Sequence, residues 1–399
     1  MADRELIHEL VGLWGLSGLG HERPQPTRIS REVGPGGLVS GWQVPARGPD
    51  GESVDLILYL EDAPENAQPA EGSVVAHAID GTVRRIWRYP DDPALPALRA
   101  LVFPGAARVI LDRLGVDAEL IGATVVAYRP GKRAVIRLTT DSGDLFAKVV
   151  RPGRADALHL RHQAWHGSGL PSPPPLARSA EGLLVLGALP GRSAVSALGT
   201  EAPGRLLDAI EQLRERIAHV DLSLPARPSL ATRLDWYQER VIQLDAALEP
   251  AVREHVEAAI RLRDGAAQPA PRTVHGDLHL GQLLVDPRDP CRIVGVLDVD
   301  TSGAGDPADD TAALWAHAVV TAEHGNVGAA AFAAAAHAGW ADEDRGRTAS
   351  ACVAQLLGHG LSGHLRLERA VELAGSIAAR PDENPLTRGS WPSHVRTGS

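Results

Sequence analysis

One run of the chain constrains the rest. Val274 to Ala312 reads VHGDLHLGQLLVDPRDPCRIVGVLDVDTSGAGDPADDTA. It opens with His275-Gly276-Asp277-Leu278-His279-Leu280-Gly281-Gln282. A short apolar strand, Ile293 to Leu297, then delivers Asp298, and a turn rich in Gly and Asp follows, with Gly303, Gly305, Asp306, Asp309 and Asp310. A carboxylate, a carboxamide oxygen and a second carboxylate thus arrive in fixed order, with a strand between them. Each part has a plainer reading. Asp in a Gly-containing loop is a common turn former. His275 and His279 have the i, i+4 spacing of a zinc helix, but the Glu of H-E-x-x-H is missing and Gly276 opposes a helix. The four acids from Asp300 to Asp310 lack the alternating order of a calcium loop that ends in Glu. Asp306 before Pro307 reads as a helix cap. Asp300 follows Asp298 by two, so both can point to one side of an extended segment, which makes Asp300 a second-choice metal or phosphate residue.

The spacing also has a chemical reading. In the protein-kinase catalytic loop, H-R-D-x-x-x-x-N, the Asp takes the substrate hydroxyl's proton and the Asn holds magnesium. Asp277 is followed, after four residues, by Gln282, and Asp298 stands where that scheme puts its other metal ligand. HGDLHLGQLLV, VLDVD and GDPADD together resemble the aminoglycoside phosphotransferase and choline kinase group, which shares the protein-kinase fold. HGDLHLGQ is especially similar to maltokinases and related sugar kinases, and GDPADDTA to aminoglycoside-type members. The resemblance implies Asp277 as catalytic base, Gln282 and Asp298 as Mg2+ ligands, and Asp306 as a brace for the catalytic loop; His275, read from the residues alone, is expected to orient the loop by hydrogen bonds.

Upstream, Thr124–Arg129, Ala134–Thr139 and Leu145–Val150 read as three antiparallel strands, with turns at Pro130-Gly131 and Asp141-Ser142-Gly143. Lys148 lies on the third. In kinases a lysine there holds the α- and β-phosphates of ATP; a lysine on a half-buried strand is the plain alternative. The first turn carries no G-x-G-x-x-G. Lys132 and Arg133 occupy it, either to cover phosphates or as a hairpin tip. The helix after Lys148, near Ala155–Gly167, offers Gln163 where the kinase scheme has Glu. Leu183–Leu189 reads as a strand; by resemblance it joins two lobes, with backbone at Leu186 and Ala188 meeting the adenine.

The remaining pattern sets the organisation. The expected fold is α+β: a protein-kinase-like pair of lobes, one small and antiparallel, one large and mainly helical, with an extra N-terminal α+β domain. The expected boundaries are 1–117 for that domain, 118–190 for the small lobe, 191–380 for the large lobe and 381–399 for a frayed tail. Within 1–117, residues 1–20 read as a helix, 21–50 as loop, and 53–89 as strands with a hairpin at Asp80-Gly81. Later, 203–221, 229–264, 307–340 and 346–379 read as helical.

Composition excludes several classes. The 399 residues carry a formal net charge of −10, which argues against general nucleic-acid or anionic-membrane binding. Two cysteines, with no metal or redox pair, fit a reducing cytoplasm. The N-terminus lacks a basic n-region, so no signal peptide is expected. No G-x-S-x-G or Walker A loop is present. The sequence therefore predicts ATP- and Mg2+-dependent transfer of the γ-phosphoryl group to a small-molecule hydroxyl on a sugar, amino sugar or aminoglycoside. The alternative is a catalytically weak, pseudokinase-like nucleotide-binding module, suggested by the missing Gly-rich loop.

Overall fold

The computed structural model describes residues 2–13, 25–33, 37–48, 50–78, 80–199, 202–342 and 344–387. The expected tail falls mainly on 388–399, outside the described residues, as do 14–20 of the expected first helix. The chain divides into two compact units, Met1–His159 with Pro175–Ala188, and Leu160–Pro174 with Leu189–Ser399.

The first unit begins with α1 (Ala2–Leu13) and a five-stranded antiparallel sheet, β1 (Thr27–Val33), β2 (Leu38–Arg47), β3 (Ser53–Ala63), β4 (Ser73–His77) and β5 (Val83–Arg88), in the order β1-β2-β3-β5-β4. Leu6, Ile7, Leu10 and Val11 recur at helical spacing and bury against Trp42, Val44, Leu58 and Leu60. Residues 27–33 and 38–47 are strands, where Pro and Gly density had suggested loop. The β1 ladder ends at the Thr27–Gln43 pair, so among the described residues Pro45 pairs only with β3 and no donor is needed on its other side. Gly41 is equally specific: a Cβ there would lie 2.8 Å from the Tyr59 ring.

After α2 (Ala97–Leu101) and α3 (Pro104–Arg113) comes a second antiparallel sheet: β6 (Leu120–Arg129), β7 (Arg133–Thr140), β8 (Gly143–Val150), β9 (Pro175–Arg178) and β10 (Leu183–Gly187), ordered β6-β7-β8-β10-β9. Strand alternation sorts β8. Ala147 and Val149 join Leu98, Leu101, Leu111 and Ile136 in one core. Phe146 and Val150 pack with Leu184, Leu186, Ala155 and Leu158 in another. The last two belong to α4 (Ala155–Gly167). Lys148 shares the phase of Phe146 and Val150, is buried, and pairs across to Val135 and Leu184.

A buried carboxylate joins the sheets. Asp92 Oδ2 accepts from Tyr128 Oη at 2.8 Å and from the amide of Gly131 at 2.7 Å, and Trp87 Nε1 donates to Tyr128 Oη. Burial first, then the Asp92 charge, pushes the Tyr128 phenol above its ordinary range.

The second unit contains β11 (Arg192–Ser193), α5 (Pro203–Ala218), α6 (Leu234–Leu244), α7 (Glu249–Gly265), β12 (Arg272–Val274), β13 (Leu283–Val285), β14 (Ile293–Val296), β15 (Gly303–Gly305), α8 (Pro307–Glu323), α9 (Val327–Ala338), α10 (Arg345–Leu361) and α11 (Leu367–Ala379). The expected 307–340 helix is two, because Asn326 caps a new start through the amide of Ala329. Ala-rich α8 is buried along most of its length, its Leu314, Trp315 and Val319 in a core shared with α10 and α11. Strands β11-β13-β14 form one small sheet and β12-β15 another.

Replacing Asp92 with Ala leaves the Tyr128 hydroxyl and the Gly131 amide without their acceptor. Equilibrium unfolding in urea should show a loss of about 2–4 kcal/mol, with Asp92→Asn recovering part of it. An unchanged midpoint for Asp92→Ala would show that this carboxylate holds nothing.

Candidate functional site

Two ladders frame the site. Val274 of β12 pairs with Gly303 of β15, and Leu283 of β13 pairs with Val296 of β14. Residues 275–282 and 297–302 are therefore two adjacent loops bound at both ends. Cross-links stitch them together. Leu297 N donates to Gln282 O at 2.8 Å, and Thr301 Oγ1 to His275 O at 2.9 Å. His275 Nε2 lies 2.8 Å from Leu297 O. A carbonyl only accepts, so this nitrogen carries the proton. The buried His275 ring also meets Trp165 edge-on, with centroids 5.7 Å apart. The ring thus bridges the two loops, and its Nδ1 is buried without a hydrogen-bond partner.

The loop's shape comes from one carboxylate. Asp310, in the first turn of α8, accepts from the amides of His275 and Gly276 at 2.8 Å each and of Leu278 at 3.2 Å. Asp310 is buried. The brace had been expected at Asp306. Asp306 instead accepts from the Ala308 amide as the α8 cap and pairs with Arg347 at 3.0 Å. The two acids are four residues apart, so the missed signal was helical spacing from a recognised cap. Gly276 sits at φ 81°, and a Cβ there would come 2.6 Å from Thr301 O, so the Gly in H-G-D is fixed by space as well as conformation.

Asp277 is partly exposed. Arg227 Nη2 reaches its Oδ1 at 3.3 Å and Gly276 O at 2.8 Å. Nothing in the sequence drew attention to Arg227, which lies 50 residues upstream. Asp298 has φ 54° and ψ 45° and is the sole non-glycine among the described residues with positive φ. A left-handed L-residue costs on the order of 1–2 kcal/mol, and such strain clusters at working sites. The bonded Leu297 amide ties Asp298 to Gln282, so a carboxylate and a carboxamide oxygen sit on neighbouring loops. That donor set fits Mg2+, which takes one or two protein oxygens and completes its shell with phosphate and water. Among the described residues no group of three or more His, Cys, Asp or Glu is arranged to hold a metal.

Other expected residues lie elsewhere. Asp300 Oδ1 is 3.8 Å from the Nε2 of buried His162. Gln163 is exposed. Lys148, Lys132, Arg133, Leu186 and Ala188 belong to the first unit, and Asp277, Gln282 and Asp298 to the second. The Gly131 amide, at the turn beside Lys132 and Arg133, is directed at Asp92. A cavity of about 560 Å3 opens against Asp310, lined also by Arg214, Arg347 and Trp340, but it includes none of Asp277, Gln282 and Asp298. Among the described residues, no helix is long and apolar enough to cross a membrane.

Asp310→Ala would strand three amides, and a loss of roughly 3 kcal/mol or more is expected in denaturant unfolding. A loss within error would show the loop stands without it. Asp309, its neighbour, accepts from Ser229 Oγ at 2.6 Å. Burial, with Asp306 and Asp310 adding to it, raises the Asp309 carboxyl from 3.8 to about 7. The folded state thus holds a proton that the unfolded state has released between those values. This contribution stabilises at low pH and is lost as pH rises through 7. Asp309→Asn should therefore melt higher than wild type at pH 8, with the gap closing at pH 5. A gap that is constant with pH would contradict the shift.

A sequence comparison with curated proteins gives no match. Solved structures do match in fold. Aminoglycoside phosphotransferase APH(4)-Ia aligns with a TM-score of 0.50 at 13% identity, over 70% of this chain and 98% of that one. The apo form of its thermostable mutant gives 0.50 at 12% identity, over 69% and 97%. A choline/ethanolamine kinase family protein from Mesorhizobium loti gives 0.49 at 19% identity, over 70% and 95%. The two alignments at 0.50 show a protein-kinase-like α+β fold. A family model, described as the phosphotransferase enzyme family, matches residues 125–348. That span covers both β8 with Lys148 and the braced 275–282 loop, and the chain belongs to the phosphotransferase enzyme family.

Proposed function

We propose that the chain transfers the γ-phosphoryl group of ATP to a hydroxyl of a small molecule: a sugar, amino sugar or aminoglycoside. The observation that carries this reading is the pair of cross-linked loops, which sets Asp277, Gln282 and a strained Asp298 on one rigid frame. Phosphoryl transfer asks little covalent chemistry of a protein and much positioning. Asp277 aligns the acceptor hydroxyl and takes its proton. With Oδ1 engaged by Arg227, Oδ2 is the oxygen proposed for that step. Gln282 Oε1 and the Asp298 carboxylate would hold Mg2+, which when bound neutralises charge on the triphosphate. Lys148, on β8, is assigned to the α- and β-phosphates, and the backbone at Leu186 and Ala188 to the adenine. Lys132 and Arg133 are assigned to the phosphates through their side chains, since the Gly131 amide already serves Asp92.

The same Asp92 contact supports the second reading. A hairpin whose amide is turned to a carboxylate covers phosphates less fully than a Gly-rich loop, as in a nucleotide-binding module with little turnover. Acceptor-dependent ADP release separates the two.

Asp277→Asn should lower kcat by roughly 10²–10⁴-fold while Mg-ATP affinity, read by calorimetry, changes little. Turnover near wild type would remove Asp277 from the mechanism. Asp298→Asn should do the reverse, with the affinity for Mg-ATP falling and its Mg2+ requirement rising. An unchanged Mg2+ dependence would take Asp298 out of the metal site.

A further inference from the structure

Two glycines in the turn after Asp298 make room for a segment from far upstream. A Cβ at Gly303 would strike the Leu224 carbonyl, and one at Gly305 would lie 2.8 Å from the Ala226 Cβ. Residues 224–227 use that room and run beside β15. Ala304 N donates to Leu224 O at 2.9 Å, Ala226 N to Ala304 O at 3.0 Å, and Arg227 N to Thr301 O at 2.9 Å. Arg161 of α4 pins the same joint, its Nε donating to Ser302 O at 2.7 Å and its Nη2 to Pro225 O at 2.9 Å. One short stretch is thus held against the loop that carries Asp298. The side chain it delivers to the neighbouring loop is Arg227.

The guanidinium meets that loop at two points. Its Nη2 donates to Gly276 O at 2.8 Å and to Asp277 Oδ1 at 3.3 Å. Among the described residues Asp277 is its one ion-pair partner. The Arg227 and Asp277 side chains are 32% and 27% exposed, and an ion pair this open to water adds little to stability. Its use is geometric. A carboxylate on a loop can turn about two side-chain bonds, and each turn carries both oxygens with it. Tying Oδ1 to a group that is itself fixed on the Gly276 carbonyl removes that freedom and leaves Oδ2 for the reaction. A flat guanidinium fork can hold a carbonyl and a carboxylate together, whereas an ammonium on a flexible stem acts as a point charge.

We propose that Arg227 is a positioning residue of the phosphoryl transfer: it acts through Asp277, holding the carboxylate so that Oδ2 meets the acceptor hydroxyl. The inference rests on the phosphotransferase reading and adds a residue to it.

The test is steady-state ADP release by the full-length protein, with the acceptor that wild type turns over fastest. It compares Arg227→Ala, Arg227→Lys, Asp277→Asn and the double variant Arg227→Ala/Asp277→Asn. Arg227→Ala should lower kcat about 10–100-fold, the cost of a misplaced reacting group. Its acceptor KM, its Mg-ATP affinity by calorimetry and its thermal midpoint should stay close to wild type. Arg227→Lys should regain part of the loss. Guanidinium ion, added to Arg227→Ala far below denaturing concentrations, should regain more while leaving wild type unchanged. In the Asp277→Asn background, removing Arg227 should cost nothing further, because the group it positions is gone. A kcat near wild type in Arg227→Ala would overturn the inference. So would an equal loss in both backgrounds, a loss that tracks a lowered thermal midpoint and resists both Lys and guanidinium, or a raised acceptor KM at unchanged kcat, which marks direct acceptor binding. If Asp277→Asn were inactive while Arg227→Ala was not, the role of Arg227 alone would fall; wild-type turnover in Asp277→Asn would remove the phosphotransferase reading with it.

Discussion

A single buried carboxylate gathers the 275–282 loop. Asp310 receives three backbone amides from 275–278, and it can do so because α8 begins at Pro307 under the Asp306 cap. Three charge-assisted bonds to one side chain remove the freedom that a Gly-containing loop would otherwise keep. The loop then presents Asp277 outward with one oxygen on Arg227. The arrangement is dense in acids. Asp306 is balanced by Arg347, Asp310 by the amides, and Asp309, left with a hydroxyl, is pushed toward its neutral form. The turn chemistry of GDPADD is thus one electrostatic unit in which each carboxylate is settled differently.

Asp298 shows where the frame stores strain. Its left-handed backbone follows directly from β14, and the ladders on either side of the two loops, with the Leu297–Gln282 bond, hold it there. Asp tolerates this conformation better than most residues. The proposed metal site would use an acidic side chain at that point, which a glycine cannot supply.

Much of this was legible in the sequence because it was local. Strands β6, β7 and β8 announced themselves by alternation and by Gly turns, and α5 by its Leu and Ile spacing. Asp277, Gln282 and Asp298 could be singled out because their order and spacing lie within one run. What escaped depended on contacts far apart in the chain. Arg227 meets Asp277 from 50 residues away, and Asp92 meets Gly131 from 39. The rings of His279, His317 and His359 also pack together from three separate segments that share no run or period. Strand β2 was hidden for a different reason: its Pro45 sits where only the neighbouring strand's length makes it tolerable.

The central claim is that this frame moves a phosphoryl group to an alcohol oxygen. The most direct measurement is 31P NMR of the full-length protein with Mg-ATP and whichever saccharide or aminoglycoside gives the fastest ADP release. A phosphomonoester signal coupled to a carbinol proton, growing in step with ADP and absent in Asp277→Asn, is the predicted result. Inorganic phosphate as the sole new signal would contradict it.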